Sequence, residues 1–159
     1  MLTPLERSHT ILLMIEMEET KQLIQEIVEA KRSIISIDAN DIKDTFQDDS
    51  PIYGFTVSVN PALDFRTEVL FDEIREKAEQ FKPFNNALVF FFMSDISPLT
   101  MDELYPLNEW MEEFPDEFML RWGMAINPPN GPHTLKAIVL LQNNDGKDEK
   151  NPGDKHKSC

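Results

Sequence analysis

Cysteine occurs once, at the final position, Cys159. An internal disulfide framework and a thiolate zinc site are thereby excluded, and the usage suits a reducing compartment. Glycine is nearly as scarce: Gly54, Gly123, Gly131, Gly146 and Gly153 stand apart, so neither a Rossmann fingerprint nor a phosphate-cradling P-loop can be assembled. Three histidines, His9, His133 and His156, are scattered without metal-ligand spacing. Bases are also short, 15 against 29 acids, for a formal charge of −14. No Lys/Arg run sets a basic patch apart, which argues against nucleic acid and anionic lipid as partners. The longest early apolar run, Ile11 to Ile15, is too short for a signal core or a span, so the sequence predicts a cytoplasmic protein with no membrane insertion. A nucleophile elbow is missing too, and five arginines are too dispersed to cage an anionic substrate. The expectation is a protein that is not an enzyme by itself and carries no cofactor and no metal.

What is present is a core. Apolar residues make up 41% of 159 residues, with eleven Phe among them, enough for one domain plus an appendage. Residues from about Thr3 to Arg32 read as a long helix, with Leu23, Ile24, Ile27 and Val28 on one face. Ile11, Leu12, Met14 and Ile15 belong to a block that is apolar all round a helix, or else to a short buried strand. As helix it needs cover from outside, which makes these four residues candidates for a homo-oligomer contact. The acidic stretch after Ser33 can cap a short helix through Phe46 with Asp38 or Asn40.

From Ile52 the pattern becomes regular. Ile52 to Val59 alternates as a half-buried strand, Phe65 to Phe81 is a helix, and Ala87 to Met93 is a continuous apolar run, as a strand covered on both faces should be. Thr100 and Glu103 form a capping box ahead of a helix carrying Leu104, Leu107, Met111 and Phe114. Phe118 to Ile126 and Thr134 to Leu141 are strands, read as a hairpin across the Pro/Gly-rich loop between them. The predicted class is therefore α+β: a long N-terminal helix, then a four-stranded mixed sheet in the order β-α-β-α-β-β with two helices on one face. The expected organisation is a helical segment at 1–33, an acidic connection at 34–50, an α/β domain at 51–142 and a disordered tail at 143–159.

Asp38 and Asp41, with Asp44, Asp48 and Asp49 behind them, are the densest acid cluster outside the tail. Two such carboxylates can bind a cation or polarise a water, or they can simply cap a turn; an EF-hand glycine and terminal Glu are missing. The segments taken in succession, from about Thr20 to Leu141, resemble the C-terminal half of FtsZ, the cell-division GTPase family related to tubulin. Lys21 to Val28 looks like the end of that family's central helix (VQGIAELI), and Ile35-Ser36-Ile37-Asp38-Ala39-Asn40-Asp41-Ile42 is similar to its synergy loop (INVDFADV). Tyr53-Gly54-Phe55 and Arg66 fall where the family has a first strand and the Arg opening the next helix. Leu99 to Leu104 parallels LTLFEV, and Trp122 to Ile126 followed by Leu135 to Leu141 resembles the final hairpin.

The departures are equally plain. The family's nucleotide-binding domain, with its GGGTGTG loop, has no counterpart here; Ser36 stands for the family's Asn and Ala39 for its Phe. The resemblance implies that Ser36, Asp38, Asn40 and Asp41 meet a partner FtsZ-type GTPase subunit, where the two acids would orient an attacking water in trans. A subunit with this end alone would bind or cap a filament and offer the next subunit nothing. The alternative is a self-assembling structural module, a homodimer through the N-terminal helix, with no role in division.

Overall fold

Asn86–Met93 contains no charged side chain, and every residue of it is buried. That composition fits only a strand covered on both faces and flanked on both edges, and it is the centre of the fold. A computed structural model describes residues 17–47, 49–129 and 133–144. The elements in chain order are a helix over 17–28 (α1), β1 Ser33–Ile35, α2 Ala39–Thr45, β2 Tyr53–Val59, α3 Arg66–Ala78, β3 Asn86–Met93, α4 Tyr105–Glu112, β4 Met119–Ile126 and β5 Leu135–Gln142. Short 3₁₀ turns at Glu79–Phe81 and Asp102–Leu104 end α3 and precede α4. The protein is α+β, with a mixed sheet in the order β1-β4-β3-β5-β2. Only the β3–β4 pair is parallel.

Alternation along the strands divides the core in two. Ala87, Val89, Phe91 and Met93 of β3 face one side with Val139 and Leu141 of β5, under Leu70, Phe71 and Ile74 of α3 and Leu107 and Trp110 of α4. Leu88, Phe90 and Phe92 face the other side with Ile138 and Leu140, under Ile27 of α1 and Ile37 and Phe46 around α2. Helix α1 comes so close to the sheet that a Cβ at Gly54 would stand 3.1 Å from Leu23 Cδ1 and 3.3 Å from Thr20 Oγ1. Glu26 of α1 also pairs with Lys136 of β5.

Five expectations need correction. The sheet has five strands, because Ser33–Ile35 joins β4 as an edge. Helices cover both faces, since α1 and α2 lie opposite α3 and α4. Strands β4 and β5 are not a hairpin: β3 lies between them, and just after β4 the Asn127 amide donates to the Met93 carbonyl at 2.8 Å. The expected tail gives up its first two residues, since the described chain continues to Asn144, whose amide donates to Asn85 Oδ1 at 2.8 Å. The N-terminal helix ends at residue 28 instead of Arg32, and its predicted first part, including Ile11, Leu12, Met14 and Ile15, lies outside the described residues.

Candidate functional site

The loop joining β1 to α2 carries the acids singled out in the sequence. Ile37 is only 5% exposed and belongs to the second core, whereas Ser36, Asp38 and Asn40 are exposed. Burying one apolar side chain between two polar neighbours fixes which way those neighbours point. Asp38 has extended backbone (φ −103°, ψ −179°) and is the N-cap of α2. Its Oδ1 accepts the Asp41 amide at 2.9 Å, and Asp41 Oδ2 accepts the Asp38 amide at 2.9 Å. This is a reciprocal capping box with Asp in place of the usual Glu, and each carboxylate satisfies an amide that a helix start leaves without an intrahelical acceptor.

Asp41 does more. Its Oδ1 accepts from Arg121 Nη1 of β4 at 2.8 Å, with both side chains about 70% buried (30% and 29% exposed). The Asp41 carboxylate is thus shared between the cap and a strand residue, and it ties α2 to the sheet. At the other end of α2 the Phe46 side chain is buried, and Asn86 Nδ2 donates to the Thr45 carbonyl at 2.8 Å. Gly123 permits the edge strand to sit where it does, since a Cβ there would stand 2.6 Å from the Ile35 carbonyl oxygen.

Among the four residues the sequence nominated, three are exposed on one short stretch and the fourth, Asp41, is half-buried and occupied. Among the described residues no three of His, Cys, Asp and Glu come together in a way that could hold a metal ion. The Arg121 contact was out of reach of sequence reasoning, since 80 residues separate the partners.

A second polar centre lies at the opposite end of the strands. Arg66 opens α3 and is 6% exposed. Its Nε and Nη2 donate to the two Glu103 oxygens at 2.6 and 2.8 Å, a bidentate pair. Nη1 donates to Ser97 Oγ at 2.6 Å and to the Ser97 and Pro61 carbonyls at 3.1 and 3.3 Å, and Nη2 reaches the Pro98 carbonyl at 3.0 Å. One guanidinium therefore gathers the loop after β2 and the loop after β3. The Arg66 hydrogen bonds hold the Glu103 carboxyl below its ordinary value, with the Thr100 amide helping and burial opposing. The reciprocal Thr100–Glu103 bonds expected from sequence are present, at 3.1 Å from the Thr100 amide and 3.4 Å from the Glu103 amide. Sequence offered Arg66 only as a point of resemblance.

No helix among the described residues is long and apolar enough to cross a membrane. Set against protein-family models and against curated proteins, the chain matches none.

Proposed function

We propose that this chain is an FtsZ-like interaction module without a GTPase domain, which binds a division-type GTPase filament through Ser36, Asp38 and Asn40 and caps it. The observation that carries the reading is the preorganised loop: polar residues face solvent on a stretch pinned by buried Ile37 and by the Asp38–Asp41 box. A loop already held in one conformation loses little entropy on docking. The five-stranded mixed sheet, whose edge strand β1 leads directly into that loop, is compatible with the resemblance seen in the sequence. Asp41 takes the part of an internal strut, since its carboxylate is engaged by Arg121. Contact, and not trans-activation by two free carboxylates, is the activity assigned to the loop.

The homodimer alternative had its candidates at Ile11, Leu12, Met14 and Ile15, outside the described residues. The described part of α1 has its apolar side covered by its own sheet, which favours the filament reading. The test is GTP turnover and light scattering of the same organism's full-length FtsZ while this protein is titrated in. Shorter polymers at sub-stoichiometric addition are expected, and an Asp38→Asn/Asn40→Ala double variant should lose the effect. No change at excess overturns the proposal.

A further inference from the structure

Large apolar side chains are exposed unevenly. Of the nine that are well exposed among the described residues, four stand on the two loops gathered by Arg66, Leu63 (46%), Phe65 (74%), Ile96 (82%) and Met101 (76%), and a fifth, Tyr105 (50%), opens α4 where the second loop ends. Singly such residues need no explanation, but here the anchors of one guanidinium, Pro61, Ser97, Pro98 and Glu103, alternate with them along the chain. Together they offer roughly several hundred Å² of apolar surface, the scale of one side of a modest protein interface. The two loops are tied together by the Arg66 hydrogen bonds, and Phe65 is held in left-handed backbone (φ 56°, ψ 38°), a conformation in which glycine or asparagine would sit more easily.

The charges around the patch are predominantly acidic. Residues 60–68 and 94–105 contain Asp64, Glu68, Asp95, Asp102 and Glu103 against a single base, Arg66, which is buried and paired with Glu103; Asp95 meets Arg32 at 3.6 Å, and Asp64, Glu68 and Asp102 complete the acidic rim. The exposed Tyr105 hydroxyl donates to Glu109, and the Glu109 and Glu68 carboxylates push its phenol above the ordinary range against the opposing charge of Arg75. An apolar centre with an acidic rim repels its own copy and selects a partner of opposite charge.

We propose that the end of the molecule formed by loops 60–65 and 94–105 is a docking surface for an apolar polypeptide segment flanked by basic residues. It is distinct from the Ser36–Asp41 loop, which lies toward the other end of the strands, and it does not depend on the filament reading.

The probe is a fluorescein-labelled amphipathic Leu/Lys peptide, with a Leu/Glu peptide of the same apolar pattern as control. Binding of the first and not the second is expected, with amide shift changes confined to residues 60–68 and 94–105. Phe65→Gly separates docking from stability, because it removes the aromatic ring while relieving the left-handed backbone. It should keep or raise Tm yet weaken peptide binding about tenfold, and Ile96→Ser/Met101→Ser should do likewise at unchanged charge. Equal affinity for all three proteins would mean general attraction to an acidic chain and overturns the proposal. A wild-type dimer in sedimentation that Phe65→Gly dissociates would put a second copy on this surface and overturns it as well.

Discussion

Replacing Asp41 by Ala removes two supports at once. The Asp38 amide loses its acceptor at 2.9 Å, and Arg121 loses its carboxylate at 2.8 Å. A capping contact is worth about 1 kcal/mol. The ion pair, nearly a third exposed on both sides, is discounted for solvent to about 0.5–1 kcal/mol. The sum is about 1.5–2 kcal/mol, which for a chain of this size lowers Tm by about 3–8 °C. Helix α2 has only seven residues, and so short a helix has no stability of its own to absorb the loss. Asp38→Ala should cost about 1 kcal/mol through the cap alone, whereas Asp38→Asn keeps a good cap and removes only the charge. Thermal unfolding by circular dichroism reads all three, and a double-mutant cycle of Asp41→Ala with Arg121→Ala isolates the pair, with an expected coupling of about 0.5–1 kcal/mol. An Asp41→Ala protein melting within about 1 °C of wild type would refute the assignment of Asp41 as a strut. Asp38→Asn is then the clean functional probe, since it should leave stability in place and change only what the exposed carboxylate touches.

Gly123→Ala places a methyl 2.6 Å from the Ile35 carbonyl and 2.8 Å from Phe90; the overpacking should cost about 1–3 kcal/mol or more and speed amide exchange in β1 selectively. Arg66→Met leaves Glu103 unpaired and the Ser97, Pro98 and Pro61 acceptors without their donor, so urea unfolding should show a loss of about 3 kcal/mol or more. Because the Glu103 carboxyl is held below its ordinary 4.5 in the folded protein, its contribution is fully present above that value and is lost as pH falls through the depressed native value. Glu103→Gln should therefore lower stability most at neutral pH, with the gap to wild type closing from about pH 5 downward; a gap independent of pH would contradict the pairing.

The sequence carried the fold where the physics is local. Asp38 as a cap, the Thr100–Glu103 box and the apolar run of β3 each follow from residues within one turn or one strand. The hairpin expectation failed because adjacent strands pair by default, although β5 held the contrary sign. Ala137 to Leu141 is as continuously apolar as β3, so it too must be interior, with a strand on each side and a helix on each face. Once both strands are read as doubly covered, helices on one face alone cannot satisfy the sheet, and α1 with α2 is the remaining cover. The Arg121–Asp41 and Arg66–Glu103 pairs span 80 and 37 residues, and no spacing rule reaches that far.

The same second core decides what the acidic loop can do. Ile37, Ile42 and Phe46 pack with Phe90, Ala125 and Leu140, so the loop is the rim of a hydrophobic layer. Rims of this kind are stiff, and stiffness favours recognition over chemistry that needs a mobile base. A carboxylate that must orient a water in a neighbouring site has to keep a lone pair and some freedom for it, while Asp41 gives one oxygen to a backbone amide and the other to a guanidinium. Asp38 gives Oδ1 to the cap and keeps its side chain at the surface beside Asn40. If a partner is met here, it meets Asp38 and Asn40, and Arg121 acts on that contact only by way of Asp41. Arg121→Ala should thus weaken partner binding less than Asp38→Asn does, while destabilising the protein more.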